Sequence, residues 1–273
     1  MKDLIAVLCK RNHFVHAVQL FSNIYWNCGW NGDYMLLTPD AEDANWFRDR
    51  GILVKPVWPM LDVPLRRERI FSAKMHLFGQ DMKKWRKIIY LDSDLLIKGP
   101  FPELLETDSF SAIEGWQFRK MSDRFYGRGF WQKHHKNQPT FNGGIWCFNT
   151  DLINKNTLKL IRRCCRENKK YYANGGAVEN TLVVFLLENN VKIDFLPLEF
   201  NTPIMKIPEK DMAARMRQAK ILHFVGNFKC WNVNNVFFPL YLENLLRAEQ
   251  IENVSLVQPV NEIDWNSHVV KLL

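Results

Sequence analysis

Long hydrophobic runs are absent from this sequence of 273 residues. No apolar stretch approaches the roughly 20 residues that a membrane-spanning helix requires. The N-terminal segment LIAVLC is shorter than the roughly 7 to 15 residues of a signal-peptide core, and no cleavage site follows it. We therefore expect a soluble, cytoplasmic protein without a membrane span.

Cysteine pairs with the spacing of a metal site are also missing. The six cysteines are scattered without the Cys-x-x-Cys spacing of zinc sites, and neither internal repeats nor low-complexity tracts occur. A disulfide framework is not indicated for such a pattern. Buried free thiols are the better interpretation.

Positive charge exceeds negative charge, with 37 Lys and Arg against 29 Asp and Glu and a formal net charge of +8. This excess favours anionic partners, among which nucleic acid, membrane surfaces and phosphate-bearing substrates all qualify. No zinc, RNP or KH motif of a nucleic-acid-binding module is present. The basic residues are concentrated in four segments: Pro64–Arg69, Lys83–Lys87, Phe118–Lys136 and Lys159–Lys170.

Short apolar runs alternate with helix-like stretches through the first half of the chain. LIAVLC, DYMLLT and ILVKPV are typical of strands, whereas HAVQLFSNIYWN and AEDANWFRDRG are typical of helices. This alternation predicts an α/β fold with a mainly parallel mixed sheet flanked by helices. We place one domain at residues 1–250 and a C-terminal extension without a clear signal at 251–273.

The second half of the chain begins with a further predicted helix, FSAKMHLFGQ, and the apolar strand IIYL. After a long basic and aromatic loop from about Gly115 to Pro139, helices are predicted at Asp151–Arg166 and Val178–Glu188. VKIDFL and KILHFV are the last predicted strands. A loop of that length in a compact domain is typically functional or mobile.

Two aspartates, Asp92 and Asp94, directly follow the strand IIYL. In open α/β sheets, ligands bind beyond the carboxyl ends of the strands. Two carboxylates at this position can hold one divalent cation, which in turn can hold the phosphates of a substrate. The alternative is an ordinary solvated turn.

The segment AKILHFVGNFKCWN places His223 near a strand end and Lys229 six residues later. An imidazole can complete a metal shell begun by carboxylates, particularly for Mn²⁺, and an ammonium can neutralise a phosphate. A core histidine and a surface lysine are the alternative. FNGGIWCFNT offers amides and close backbone approach to a polyhydroxylated ligand, although the segment taken alone is better explained by a β-turn or bulge.

Five segments occur in the order typical of one enzyme family: FSAK, IIYLDSDLLI, FNGGIWCFN, GGAVENTLV and AKILHFVGNFKCWN. On these segments the sequence resembles the glycogenin-like, retaining glycosyltransferases of family 8. The resemblance runs from about Leu4 to Asn232. It implies a single Rossmann-like GT-A domain that binds a nucleotide sugar.

The resemblance also implies roles for individual residues. Asp92, Asp94 and His223 would ligate Mn²⁺, with Mg²⁺ as the alternative metal, on the diphosphate of a UDP-sugar. The remaining expected contacts with the donor involve Cys9, Asn12, Phe14, Lys74, Ser93, Asn142, Gly143, Glu179, Asn180, Gly226 and Lys229. Among them, Lys74, Glu179 and Lys229 are the candidate catalytic residues, and the segment from Cys9 to Phe14 should border uracil.

Three departures from the family pattern affect these assignments. Glu179-Asn180 stands where family members often have Asp-Gln, which bears on sugar selectivity. Lys229-Cys230-Trp231 replaces the usual Lys-Pro-Trp, which loosens the backbone. Near the start, Asn12-His13-Phe14 replaces an acidic and aromatic pair.

We therefore expect a manganese-dependent hexosyltransferase that moves glucose, in the first instance, from UDP-glucose to a saccharide, glycoconjugate or protein acceptor. A homodimer is compatible with the sequence, and nucleic acid is not an expected partner. A catalytically weak sugar-nucleotide-binding protein and a basic nucleic-acid-binding module are the alternatives. The loop Trp116–Lys136 is the candidate acceptor-side lid, unless it is a solvated loop whose rings pack on the core.

Overall fold

The computed structural model describes residues 1–63, 69–115, 119–173, 176–204, 214 and 216–257. The strands of this part are β1 (Leu4–Leu8), β2 (Asp33–Thr38), β3 (Leu53–Pro56), β4 (Lys87–Leu91), β5 (Leu95–Ile97), β6 (Phe110–Glu114), β7 (Phe141–Asn149), β8 (Ile193–Leu196), β9 (Thr202–Ile204) and β10 (Ile221–Phe224). Each predicted strand is present. The fold is therefore α/β, as the alternating pattern predicts.

The α-helices within these described ranges are α1 (Phe14–Asn27), α2 (Asn45–Asp49), α3 (Met121–Arg124), α4 (Arg128–Trp131), α5 (Thr157–Asn168), α6 (Ala177–Glu188) and α7 (Phe238–Arg247). Three predicted helices differ from the expectation. The helix predicted at Asp151–Arg166 begins only at Thr157, as α5, after a 3₁₀ turn at Thr150–Leu152. AEDANWFRDRG divides into a 3₁₀ turn, Ala41–Asp43, and the short α2, while FSAKMHLFGQ forms a 3₁₀ helix over Ile70–Phe78. Among the described residues, no helix is both long and apolar enough to cross a bilayer.

The contacts divide the chain into two compact units whose segments alternate along the sequence. Unit A comprises Met1–Asp3, Val57–Tyr90 and Leu104–Leu196, and unit B comprises Leu4–Pro56, Leu91–Glu103 and the chain from Pro197 onward. The domain boundary at residue 250 stays a prediction. Ile251 and Val254 are buried in unit B, whereas residues 258–273 lie outside the described part.

Unit A contains the strand order β4-β7-β6-β8, in which β6 is antiparallel to β7 and parallel to β8. Aromatic rings fill its core. Phe78 stacks on Phe148 with 4.5 Å between ring centroids, and Tyr90 stacks on Trp146 at 4.9 Å. All four side chains are fully buried, so these rings supply much of the apolar area that stabilises the unit.

Unit B contains β3-β2-β1, with parallel pairing throughout, and a small sheet of order β5-β10-β9. Strand β10 is antiparallel to β5 and parallel to β9. The register places His223 opposite Leu95, the first residue of β5. The small sheet thus brings the chain after Asp94 beside the histidine segment.

A buried asparagine on α1 completes the hydrogen bonding of β5. The Asn23 side chain donates to the carbonyl of Ile97 at 3.0 Å and accepts from the Ile97 amide at 2.6 Å. Asn23 is fully buried, so no water is available to replace these bonds. The Asn23 side chain therefore supplies the donor and the acceptor that a neighbouring strand would otherwise supply, and it fixes α1 to β5.

Replacing Asn23 with Ala should lower the free energy of unfolding by about 1–3 kcal/mol, because the Ile97 amide and carbonyl lose their partners in a buried position. Urea denaturation measures the change. Asn31→Ala is the matched control, since Asn31 is exposed and its loss should alter stability by less than about 0.5 kcal/mol. Equal stability of the two variants would contradict the assigned role.

Candidate active site

Three potential metal ligands come together in unit B at the start of β5 and on β10. Oxygen atoms of Asp92 and Asp94 and a ring nitrogen of His223 all lie within 4.8 Å of one another. The amide of Phe224 donates to the carbonyl of Asp94 at 3.0 Å, which extends the pairing of β5 and β10 to the aspartate itself. The small sheet therefore positions the histidine beside the carboxylates.

Asn201 fixes the orientation of the His223 ring. His223 Nδ1 lies 2.8 Å from Asn201 Oδ1, and both residues are buried. Because a carbonyl oxygen only accepts, Nδ1 is the donor of this bond. The other nitrogen, Nε2, lies 3.2 Å from Asp94 Oδ1 and is directed at the carboxylate. An outer hydrogen bond of this kind is typical of metal-ligating histidines.

Lys229 supplies a second partner for Asp94, and this one is an ammonium. Its ammonium contacts Asp94 Oδ2 and donates to the carbonyl of Phe224 at 2.5 Å. Burial by itself would raise the pKa of Asp94, but the charges and hydrogen bonds of His223 and Lys229 outweigh it and hold the pKa below the ordinary carboxyl value. Asp94 is therefore an ionised carboxylate, as metal binding requires.

These residues fit a divalent cation such as Mn²⁺. Two carboxylates and one imidazole offer both oxygen and nitrogen ligand atoms. The hydrogen bond to Asn201 orients the imidazole toward the carboxylates. The cluster would hold the cation through Asp92, Asp94 and His223. No other group of this kind is found in the described part of the chain.

The loop after β10 is attached to α1 by a pair of stacked rings, and a hydrogen bond links this pair to α7. Gly226 adopts φ of 64°, the left-handed conformation that favours glycine. The Trp231 ring stacks on His16 at 3.7 Å, and His16 Nδ1 is hydrogen-bonded to the Tyr241 hydroxyl at 2.8 Å. Burial lowers the pKa of His16 to about 4, so the ring is neutral near pH 7. His16, Tyr241 and Asn201 were not predicted from the sequence.

The predicted uracil-binding segment lies at the carboxyl end of β1. Cys9 is buried, donates to the carbonyl of His13 at 3.0 Å and has a pKa raised to about 12, chiefly by burial. A hydrogen bond also links Cys9 to Ser93. Asn12 is exposed, whereas the Phe14 ring packs edge-on against Phe47 at 5.2 Å. The contacts of this segment with a nucleotide stay a prediction.

A second cluster forms in unit A around Lys74 and Glu179. Lys74 lies in the 3₁₀ helix Ile70–Phe78, and its ammonium donates to the carbonyl of Gly143 at 3.0 Å and lies 3.5 Å from Glu179 Oε1. Burial would raise the pKa of Glu179, but the charges of Lys74 and Arg124 lower it below the ordinary value. Glu179 is therefore ionised at neutral pH.

Gly143 is required by this packing. A Cβ at position 143 would lie 2.6 Å from the carboxyl carbon of Glu179, which is closer than real contacts allow. The neighbouring Asn142 accepts from the Gly144 amide at 2.9 Å. The two glycines of FNGG thus belong to a strand, β7. The pairing of β7 with β6 shifts register between Ala112 and Glu114, opposite this segment, as the bulge alternative expected.

Arg124 connects this cluster to the preceding loop. Its guanidinium donates to Thr140 Oγ1, to the carbonyl of Phe141 and to Asn180 Oδ1 at 3.0, 2.8 and 3.1 Å. Asn180 Nδ2 is buried and has no hydrogen-bond partner among the described residues. Sequence reasoning missed Arg124 because it lies in a run of basic residues whose other members are mostly exposed.

The described part of the candidate lid is structured. Trp116 to Phe118 lie outside the described residues, and residues 119–136 contain α3 and α4. Phe125 and Phe130 are buried and stack at 4.3 Å. These rings pack on the core, as the alternative interpretation expected, and a lid function stays a prediction.

The predicted site residues thus form two groups, one in each unit. Asp92, Asp94, His223, Gly226 and Lys229 lie in unit B with Cys9, Asn12, Phe14 and Ser93, whereas Lys74, Asn142, Gly143, Glu179 and Asn180 lie in unit A. Within each group, charged side chains are paired and partly or fully buried. Such paired, buried charges are typical of functional sites.

Solved glycosyltransferase structures resemble this fold. The apo structure of the bifunctional glycosyltransferase WbbM matches with a TM-score of 0.64 and 17% identity over 92% of this chain and 51% of the other. The galactosyltransferase LgtC, in complex with donor and acceptor sugar analogues, matches with a TM-score of 0.59 and 16% identity over 97% and 99%. The apo form of GlyE from Streptococcus pneumoniae matches with a TM-score of 0.53 and 15% identity over 99% and 63%.

The chain spans about half the length of the WbbM structure. No curated protein sequence matches it. The family model of glycosyl transferase family 8 matches residues 70–235, which is more than half of the chain and contains both clusters. With its Asp92-x-Asp94 pair and its GT-A fold, this chain belongs to glycosyl transferase family 8.

Proposed function

We propose that this protein is a manganese-dependent, retaining glycosyltransferase that moves a hexose, glucose in the first instance, from a UDP-sugar to an acceptor hydroxyl. The observation that carries the proposal is the cluster of Asp92, Asp94 and His223 in a chain of family 8. An imidazole among the ligands favours Mn²⁺ over Mg²⁺, which prefers oxygen alone.

The metal would neutralise the diphosphate of the donor and so assist its departure. Lys229 would add to this effect. Its ammonium contacts Asp94, and a cation at the cluster would compete for the same carboxylate. The released ammonium, on the loop that begins at Gly226, is then available to a phosphate oxygen. Charge stabilisation of a leaving group is commonly a large catalytic contribution.

The cluster in unit A is suited to the sugar of the donor. The ionised Glu179 accepts hydrogen bonds from hydroxyl groups, and Asn180 Nδ2 offers a donor without a partner among the described residues. Lys74 keeps the carboxylate charged and in place. Because Glu179 is one methylene longer than the family's usual aspartate, we propose that this pair sets the selectivity among hexoses.

Retention of configuration would follow from attack on the face that the phosphate leaves. In this route the acceptor hydroxyl forms the new bond to the anomeric carbon while the bond to phosphate breaks, and a phosphate oxygen takes the hydroxyl proton. Glu179 already contacts Lys74 and packs on Gly143, so we assign it to positioning the sugar rather than to covalent attack. We propose a saccharide, a glycoconjugate or a protein as the acceptor. We also propose that the protein forms a homodimer.

Removing a metal ligand should abolish or strongly weaken Mn²⁺-dependent binding of UDP. Asp92→Asn, Asp94→Asn and His223→Ala each remove one donor, with losses of about tenfold or more. Isothermal titration of UDP with and without Mn²⁺ measures the effect. Asp108→Asn is the control, because Asp108 is an exposed carboxylate outside both clusters. Unchanged affinity in all three variants would refute the metal assignment.

Lys229→Met should have opposite effects on metal binding and on turnover. Without nucleotide, Mn²⁺ affinity should rise by about threefold to tenfold because the competing ammonium is gone. Release of UDP from UDP-glucose should be slower, with kcat reduced more than KM is raised. The reason is that the negative charge on the phosphate, which the Lys229 ammonium stabilises, grows as the phosphate leaves.

The electron paramagnetic resonance signal of free Mn²⁺ measures the first effect, and a coupled UDP assay the second. Arg217→Met, which removes an exposed cation of the same unit outside the predicted site, is the control. Weaker Mn²⁺ binding in Lys229→Met would show that the lysine does not compete with the metal.

An α-linked UDP-sugar should give a product with the α configuration. Proton NMR of the first-formed product, recorded before mutarotation, distinguishes the anomers, and a β-anomer would overturn the retaining assignment. If Glu179 only positions the sugar, Glu179→Gln should keep partial transfer. A covalent glycosyl adduct on Glu179 in the wild type would instead identify it as the nucleophile.

A further inference from the structure

A polar cleft of about 520 Å³ lies in unit A, apart from the Lys74 and Glu179 cluster. It is formed by α4 and the residues after it, the C-terminal end of α5 with the following turn, and the last residue of α6. That residue, Glu188, is nine positions after Glu179 on the same helix, which corresponds to about 13 Å. We call this feature the His134 cleft. Its volume lies within the range of small-molecule sites.

A buried ring nitrogen lines the cleft without a hydrogen-bond partner. The His134 side chain is 7% exposed, and its Nε2 has no hydrogen bond in the described part of the chain. The facing carboxylate oxygen, Glu188 Oε1, is 3.9 Å away, which is too long for a direct hydrogen bond. Phe130 stacks on the histidine ring at 4.5 Å and holds it in place. An unsatisfied buried polar group of this kind requires an explanation.

The gap between His134 and Glu188 is suited to a hydroxyl group. The Cys164 thiol donates to Glu188 Oε2 at 3.3 Å, which leaves Oε1 to face the cleft. An oxygen placed about 2.8 Å from both atoms could accept from the imidazole and donate to the carboxylate. Burial lowers the pKa of His134, so the ring is neutral and can carry a single proton on Nε2. A sugar hydroxyl is both a donor and an acceptor and satisfies both groups.

The rest of the lining has more positive than negative charge and includes one aromatic ring. Lys133, Arg166 and Lys170 are exposed at the cleft beside one exposed carboxylate, Glu167, and Tyr171 is half-buried there. Guanidinium and ammonium groups bind carboxylates and phosphates, and Arg does so through two parallel hydrogen bonds. The Tyr171 ring offers the kind of apolar surface on which the CH face of a sugar can pack.

We propose that the His134 cleft binds an acidic saccharide, a sugar that bears a carboxylate or a phosphate. Hydroxyl groups would lie against His134 and Glu188, and the anionic group would lie toward Arg166 and the two lysines. This site is additional to the donor and acceptor contacts of the proposed transfer reaction. It would hold part of a charged glycan and so keep such a molecule near the enzyme.

Saturation-transfer NMR on the full chain tests the proposal with methyl glucuronide and glucose 6-phosphate as probes. Methyl glucoside and inorganic phosphate are the comparison ligands. At least one acidic sugar should bind several-fold more tightly than both comparison ligands, and saturating UDP with Mn²⁺ should leave its binding unchanged. Arg166→Ala should lower the affinity for that acidic sugar by about twofold to fivefold, because it removes one partly solvated ion pair.

Glu188→Gln should lower the affinity for the acidic sugar and for methyl glucoside alike. The substitution alters the contact with a sugar hydroxyl but keeps an acceptor for the Cys164 thiol. Lys159→Ala, an exposed cation of α5 outside the cleft, is the matched control and should change nothing. The proposal is overturned if no acidic sugar exceeds methyl glucoside, if inorganic phosphate binds as tightly, if Arg166→Ala has no effect, or if UDP with Mn²⁺ displaces the probe. Failure of these tests would leave Mn²⁺-dependent UDP binding untouched, so the two proposals are judged separately.

Discussion

The negative charge of Asp94 is the constraint around which unit B is organised. A carboxylate that is largely removed from water is stable only with positive partners and hydrogen bonds. The pairing of β5 with β10 brings His223 to one oxygen, and the loop after β10 brings Lys229 to the other. The outer edge of β5 is in turn held by Asn23. The local architecture thus follows from one charge that must be neutralised.

Unit A meets a different requirement at its cluster. There the backbone itself makes room, because Glu179 packs directly on Gly143 where any side chain would collide with it. Arg124 adds three hydrogen bonds from a single buried guanidinium. Because such a planar group has fixed donor directions, it limits how Asn180 and the start of β7 can be placed. Steric fit and hydrogen-bond geometry, more than net charge, define this cluster.

Much of the fold and of both clusters could be predicted because the signals are local. Apolar runs marked the strands, and Asp92, Asp94, His223 and Lys229 lie in segments whose order is characteristic. Other features depend on contacts that no short pattern contains. FSAKMHLFGQ has the composition of an α-helix yet forms a 3₁₀ helix, in which Lys74 points to the Gly143 carbonyl. His16, Asn201 and Arg124 were missed for a similar reason: each acts on residues distant in the sequence.

The contact between Lys229 and Asp94 also bears on how the protein matures. Many metal-binding domains remain unfolded until the ion arrives, because their clustered ligands repel one another or lack partners. In this chain an ammonium built into the polypeptide already satisfies the carboxylate. The fold therefore carries its own cation for this carboxylate. A metal ligand that is already paired with an opposite charge adds less electrostatic penalty to folding than an unpaired one.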